Sequence, residues 1–256
     1  MGVLDGRVAV ITAAGSGMGR AAAQRFAQAG ATVVVTDIDI EAARGTVDAI
    51  QQEGGKAEPM IADVGDLDEL QKVAGAVTTE FGAVHVLFNH AGIPGPPGIG
   101  EVTPEQWTRL VDLNMRGGFF LTQYLLGALR SAGGASVIFT SSAAGLVGSQ
   151  FSPLYSMAKG GLVSLVKGLA LSLAGDNIRV NAVCPGSTDT PMLPGFFSGG
   201  PAEDIEAKKS AQWANIPLGR LGTPRDVAEA ALFLAAPTSG YVTGVALAVD
   251  GGYTAK

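Results

Sequence analysis

VAVITAAGSGMG, residues 8–19, is the stretch on which the reading of this chain turns. Val8, Ala9, Val10 and Ile11 form a short, mostly β-branched apolar run, the pattern of a strand buried on both faces. Thr12-Ala13-Ala14-Gly15-Ser16-Gly17-Met18-Gly19 follows, and an Ala-rich helical pattern opens directly behind it. Glycines at such a junction let the backbone turn tightly and approach an anion, which the free N–H groups and dipole of the helix start attract. The spacing is Gly-x-Gly-x-Gly, at 15, 17 and 19, rather than Gly-x-Gly-x-x-Gly. Taken alone, the same residues also suit a plain tight connection between strand and helix.

Working outward, apolar runs at 32–36, 84–88, 136–140, 178–183 and 245–249, with a weaker one near 57–61, alternate with longer periodic segments. Those segments, 17–29, 41–53, 67–81, 104–130, 155–173 and 224–234, predict helices. Thr103-Pro104 and Thr223-Pro224 each look like an N-cap followed by proline at the first helical position. Alternation of this kind predicts an α/β fold: one doubly wound, parallel, seven-stranded sheet with helices on both faces, Rossmann-like. Ligands in such sheets sit beyond the carboxyl ends of the strands, where the winding reverses. No repeat or composition break divides residues 1–256, so a single domain is expected. Residues 191–217, rich in Gly, Pro and aromatics, do not alternate and read as a partly helical lid within it, or as a passive surface insertion.

Composition narrows the functional classes. The chain is 47% hydrophobic and 16% charged, with a net charge of −6. No block of Lys or Arg appears, so nucleic acid and anionic membrane are poor partners. No apolar stretch is expected to span a bilayer, and the N-terminus runs straight into a strand without a secretory leader. Cys184, the one cysteine, has no intrachain partner and reads as core packing, which fits a reducing cytoplasm. No metal is expected.

Two further features carry chemistry. The second strand ends in Asp37, eighteen residues after Gly19. A carboxylate there accepts hydrogen bonds from a ribose 2′-hydroxyl and repels a 2′-phosphate, and neighbouring Ile38 and Gly15 offer that phosphate no charge. NAD is therefore expected over NADP, although Asp37 equally suits a capping residue in a turn. Further on, Tyr155 and Lys159 stand four apart at the start of a helical stretch, so both can face one cleft.

With TAAGSGMG, Asp37, Asp63-Val64, Asn89-His90-Ala91-Gly92, Asn114, Ser142, Tyr155-x-x-x-Lys159 and Pro185-Gly186 in order, the chain resembles the short-chain dehydrogenases/reductases over nearly its whole length. The resemblance implies that Asn114, Ser142, Tyr155 and Lys159 are catalytic. It implies that Gly15, Ser16, Gly17, Met18, Gly19, Asp37 and Ile38 bind the cofactor, and that Asp63 and Val64 flank its adenine. Asn89, Ala91 and Gly92 would line the cofactor cleft, with Tyr155 and Lys159, and Pro185, Gly186, Thr188 and Thr190 would bracket the nicotinamide. Asn114 would hold a water in a proton relay that includes Lys159. Ala13 departs from the family's glycine, which is tolerable if its φ stays negative. His90 replaces the usual second asparagine and reads as structural.

The chemistry then implied is hydride transfer between a nicotinamide and a carbon bearing oxygen. A free tyrosine titrates near 10, too high for proton exchange at neutral pH. An ammonium about 5 Å away, at an effective dielectric of about 20, favours the phenolate by roughly 3 kcal/mol, or about two on the pKa scale. Ser142 can hold the substrate oxygen as an oxyanion donor does.

Gln150 and Phe196 are expected to touch the substrate, together with Ser142 and Tyr155. Leu146, Phe151, Pro94, Pro96, Met192, Phe197 and Trp213 would complete a largely apolar wall, with Lys208 and Lys209 on a solvated face. An apolar or cyclic secondary alcohol, or its ketone, fits such a pocket better than a phosphorylated substrate. Reduction of a 3-oxoacyl thioester is the enzymatic alternative, and a non-catalytic NAD sensor or scaffold the alternative of another class. The resemblance also implies a homotetramer that pairs helices near 104–130 and 155–173.

Overall fold

A computed structural model describes residues 2–100, 102–149, 152–196, 207, 210 and 213–255. Seven parallel strands lie in the order β3-β2-β1-β4-β5-β6-β7. They are β1 Val8–Thr12, β2 Thr32–Asp37, β3 Lys56–Ile61, β4 Val86–Asn89, β5 Ala135–Thr140, β6 Ile178–Pro185 and β7 Ala246–Val249. The chain winds outward from β1 to β3, then returns past β1 to β4 and winds the other way. That reversal between β1 and β4 leaves a crevice at the carboxyl edge of the sheet. The doubly wound architecture expected from the alternation is the one observed.

Helices cover both faces because the strands are apolar on both sides. On one face lie α1 (Gly17–Gln28), α2 (Ile40–Gln52) and a late helix, Pro224–Ala235. They share a core with Ile11, Val33, Val35 and Phe88. Phe26 and Phe88 are wholly buried there, and their rings stack at 6.4 Å. Burial of each stabilises by roughly 1.5–3 kcal/mol. On the other face lie α3 (Leu67–Phe81), a broken helical run after residue 103, and a long helix, Pro153–Leu173. These pack on Val10, Val34, Leu87, Val137 and Val180.

Local chemistry fixes where the helices begin. Asp39 and Asp66 cap α2 and α3 through their carboxylates. Thr103 and Gln106 form a reciprocal capping box with Pro104 at N1, and Thr223 and Asp226 do the same ahead of Pro224. The long helix starts at Pro153, two residues before the expected Tyr155, because Ser152 accepts from the Tyr155 N–H as its N-cap.

The stretch 104–130 differs from the single helix its periodicity predicts. It divides into α4 (Pro104–Val111), a π-turn at Asp112–Arg116, α5 (Gly117–Tyr124) and α6 (Leu126–Ser131). A π-turn widens a single turn by one residue, too local a change for the broad apolar periodicity of this stretch to reveal. The short α7 (Ala143–Leu146) precedes the long helix, hereafter α8, and Pro224–Ala235 is α9.

A second expectation also needs correction. No stretch was expected to approach spanning length, yet among the described residues one helix, Pro153–Asp176, is long and apolar enough by length and composition to cross a membrane, with a mean hydropathy of 1.3. It lies along the sheet and buries Lys159 and Tyr155. Of the expected lid, only residues 191–196, 207, 210 and 213–217 are described, and Lys208, Lys209 and Phe197 fall outside the described residues.

Candidate active site

The crevice is built from the ends of β1, β2, β4, β5 and β6. The glycine loop supplies its floor. Ser16, the N-cap of α1, is extended and makes no side-chain cap bond, and the first turn carries no acidic residue. The N–H groups at this helix start are therefore free to meet an anion, which fits a dinucleotide pyrophosphate. Gly19 must be glycine, since a Cβ would collide with the Ala13 carbonyl oxygen. Gly17 has φ of 52° and faces Thr190 and Pro191. Ala13 does not keep the negative φ its methyl should favour: it sits at φ 51°, in the left-handed region. The surrounding bonds hold it there, with Ala14 N–H donating to the Thr36 carbonyl at 3.0 Å and Thr46 Oγ1 donating to the Ala14 carbonyl at 3.0 Å.

Asp37, last residue of β2, accepts from Gly15 N–H at 2.9 Å and from Asp39 N–H at 3.0 Å. Its carboxylate thus ties the loop to the strand end. Asp37 and the exposed Ile38 line an outer cavity of about 1030 Å³ with Asp63, Val64, Ala91 and Gly92. An inner cavity of about 210 Å³ is lined by Ser16, Gly17, Met18, Asn114, Ser142, Tyr155, Lys159, Pro185, Gly186, Thr188 and Thr190. The two share Ala13 and Gly92, so they form one trough across the carboxyl edge.

Within the inner cavity four residues converge from three elements. Ser142, N-cap of α7, accepts from Ala144 N–H at 3.1 Å. Tyr155 and Lys159 come from the first turns of α8, with the ammonium 5.5 Å from the phenol ring centre. Lys159 Nζ donates to the Thr140 carbonyl at 2.9 Å. Asn114, in the π-turn, donates from Nδ2 to the Ile93 carbonyl at 3.2 Å and the Leu110 carbonyl at 3.0 Å. Its buried Oδ1 has no hydrogen-bond partner among the described residues. Gly92 lies against both, since a Cβ there would fall 2.5 Å from Asn114 Oδ1 and 3.3 Å from Lys159 Nζ.

The electrostatics run opposite to the sequence-based expectation at Tyr155. Burial pushes its phenol above the ordinary range, and a hydrogen bond with Ser142 opposes that push. Burial likewise draws Lys159 down to about 8. The simple Coulomb argument left out desolvation, which in a site this enclosed outweighs the attraction between the pair. His90 is drawn down to about 4 by burial and by the Lys159 charge. Cys184 is fully buried, and its thiol is pushed up to about 11.

Several expected residues are placed elsewhere. Asn89 lines neither main cavity; its Nδ2 donates to Thr122 Oγ1 at 3.0 Å, beneath the crevice. Leu146 joins the sheet core. Pro94 packs near Gly195, and Pro97 lines the cavity where Pro94 and Pro96 were expected. Phe196 stands edge-on to Tyr155 with ring centroids 5.2 Å apart, and Met192 lines the same wall. Trp213 does not line the cavity, while Gln150 and Phe151 lie outside the described residues.

Three supporting residues escaped the sequence reading. Thr12 Oγ1 accepts from the N–H groups of His90 and Ala91, each at 3.0 Å. Ser141 Oγ donates to the Lys159 carbonyl at 2.8 Å, and Thr140 holds the Lys159 ammonium. Thr12 and Thr140 are the last residues of β1 and β5, at the carboxyl edge where ligands of such sheets bind, a position that would have singled them out. Tyr253, near the C-terminus, also lines the inner cavity.

Comparison with known proteins agrees with this geometry. A family model described as enoyl-(acyl carrier protein) reductase matches residues 12–254. Cyclohexanol dehydrogenase of Acinetobacter sp. (strain SE19) is 39% identical over 98% of this chain and 96% of its own. The 3-oxoacyl-[acyl-carrier-protein] reductase FabG of Thermotoga maritima is 36% identical over 97% of this chain and 98% of its own. A 7α-hydroxysteroid dehydrogenase solved with NADH and 7-oxo glycochenodeoxycholic acid superposes with a TM-score of 0.88 at 36% identity, covering 97% of this chain and 94% of that one. With the doubly wound sheet, the glycine loop and the convergence of Asn114, Ser142, Tyr155 and Lys159, these likenesses make the chain a member of the short-chain dehydrogenase/reductase family, nicotinamide-nucleotide-dependent oxidoreductases acting on CH–OH groups.

Proposed function

We propose that this enzyme uses NAD to interconvert an apolar or cyclic secondary alcohol and its ketone, with Tyr155 as general acid and base. The observation that carries the reading is the meeting of Tyr155, Ser142 and Lys159 in one buried cavity walled by Phe196, Met192 and Pro97. A nicotinamide bound there supplies the hydride acceptor or donor. Gly15, Ser16, Gly17, Met18 and Gly19 would hold the pyrophosphate, and Asp63 and Val64 the adenine. Pro185, Gly186, Thr188 and Thr190 would frame the nicotinamide, with Ala91 and Gly92 along the cleft.

Tyr155 Oη moves the proton to and from the substrate oxygen, and Ser142 holds that oxygen by a hydrogen bond. The Lys159 ammonium stabilises the phenolate against its burial. The orphaned Asn114 Oδ1 is the acceptor for a water beside Lys159, which gives the proton a route onward. The preference for NAD rests on Asp37, whose carboxylate faces the outer cavity beside the uncharged Ile38. Residues 191–217 serve as the substrate lid of the single domain, and Gln150 contributes to substrate binding. The enzyme works in the cytoplasm as a homotetramer. The outward Phe119 on α5 and the 83% exposed Leu171 on α8 support that assembly.

The test is reduced-nicotinamide absorbance with NAD and a panel of cyclic and aliphatic secondary alcohols. Turnover with none of them, while NAD still binds, would end the dehydrogenase reading. The likeness to the Thermotoga reductase favours a second reading, reduction of a 3-oxoacyl thioester. Faster oxidation of reduced cofactor with an acetoacetyl thioester than with any cyclic ketone would select it.

A further inference from the structure

His90 stands where the catalytic cavity meets the glycine loop, and the reading so far gives it no task. Its surroundings are specific. The last paired residues of β4 and β5 are Asn89 and Phe139, and one step beyond them the ladder ends. There the side chains take over, with His90 Nδ1 2.9 Å from Thr140 Oγ1. The same Thr140 offers its carbonyl to Lys159 Nζ at 2.9 Å. The ring is fixed on its other sides as well. Its backbone N–H donates to Thr12 Oγ1 at 3.0 Å, Phe88 lies 5.3 Å away centre to centre, and Cδ2 occupies the space a Gly19 side chain would need.

We propose that His90 is a positioning residue of the catalytic centre: its bond to Thr140 fastens the carboxyl ends of β4 and β5 together and so fixes the carbonyl that holds the Lys159 ammonium. The inference rests on the dehydrogenase reading of Tyr155 and Lys159 and adds a group that acts through Thr140 rather than on substrate. An imidazole here is also a constraint. Lys159 is the charge that acts on it, whereas Thr12, Gly19, Phe88 and Thr140 are neutral. Around the ammonium stand Tyr155, Cys184, Asn114 and Gly92, none of them anionic at neutral pH. A neutral ring leaves that charge unopposed. A hydrogen bond to the charged form of an amine favours that form, so loosening the Thr140 carbonyl lowers the pH at which Lys159 gives up its proton.

The test compares His90→Ala, His90→Asn, Thr140→Val and the double variant H90A/T140V. An asparagine amide reaches the place of Nδ1, and valine removes the hydroxyl but keeps the carbonyl. H90A and T140V are each expected to lower kcat by about tenfold to a hundredfold. Each should also move the alkaline limb of the kcat profile down by about half a pH unit or more. The double variant should be no worse than the poorer single one, and H90N should restore both readouts. Urea unfolding across the pH range where Lys159 titrates gives the same limb without cofactor or turnover. If the wild-type enzyme oxidised no alcohol, this unfolding arm would still judge His90. A loss of stability in H90A with the Lys159 limb unmoved, or losses that multiply in the double variant, would overturn the proposal.

Discussion

The Lys159 ammonium lies 5.5 Å from the centre of the Tyr155 ring, one helical turn along α8, and both side chains are buried. The phenol is thereby held in its neutral form by desolvation and depends on its neighbours to ionise. Tyr155→Phe keeps the shape and removes the proton carrier. It is expected to lower kcat by about 10²–10⁴ while leaving the fluorescence-measured affinity for NADH nearly unchanged. Wild-type turnover in this variant would remove Tyr155 from the mechanism.

Lys159 also gives a pH signature in stability. Its folded value of about 8 lies below the ordinary 10.5. Between those two values the unfolded chain carries a proton that the native one lacks, so stability rises with pH across that window. Below it the full penalty persists, up to about 3 kcal/mol. Lys159→Met should remove the rise. The Cys184 thiol, at about 11 against an ordinary 9.0, opposes the rise at the alkaline end. The measurement is therefore the wild-type minus variant difference in urea unfolding at each pH.

His90 has the corresponding signature in acid. Its folded value of about 4 lies below 6.5, so the unfolded chain binds a proton first as pH falls. Stability should decline between pH 6.5 and 4, by up to about 3 kcal/mol at the lower limit. His90→Asn should flatten that decline relative to wild type in the same unfolding series.

Ala13→Gly should show an unusual sign. A left-handed alanine costs roughly 1–2 kcal/mol, which glycine relieves while adding up to about 1 kcal/mol of unfolded-state entropy. The variant is expected to be neutral or up to about 1 kcal/mol more stable. By contrast Ala22→Gly, buried within α1, should cost about 1 kcal/mol or more. Equal losses at both positions would contradict the strain assigned to residue 13.

Asp37→Ala releases Gly15 and removes the carboxylate that disfavours a 2′-phosphate. The ratio of kcat/KM for NADP over NAD should rise at least about tenfold, roughly 1.4 kcal/mol. An unchanged ratio would assign Asp37 to loop anchoring alone.

Much of this architecture was legible in the residues. Apolar, largely β-branched runs marked the buried inner strands, whereas β3, KAEPMI at the sheet edge, gave only a weak signal because it is partly exposed. Thr103-Pro104 and Thr223-Pro224 marked helix starts because capping is local chemistry. The four-residue spacing of Tyr155 and Lys159 anticipated that they share a cleft, and the family resemblance added Ser142. What stayed hidden depends on third dimensions. The φ of Ala13 is set by bonds to Thr36 and Thr46, far along the chain. Asn89 turns to Thr122 because the neighbouring helix offers a hydroxyl. The direction in which Tyr155 titrates follows from burial, which one sequence does not measure.

The π-turn at Asp112–Arg116 has a consequence for how this helical run tolerates length changes. Each residue of a regular α-helix advances the azimuth by about 100°. One surplus residue therefore sets the registry of everything downstream, and the amide of Asn114 faces Ile93 and Leu110 only at that offset. Excising a single residue from the widened turn would restore the ordinary pitch and swing that amide away from the crevice. Point substitutions there leave the phase alone, whereas a one-codon deletion rewrites it.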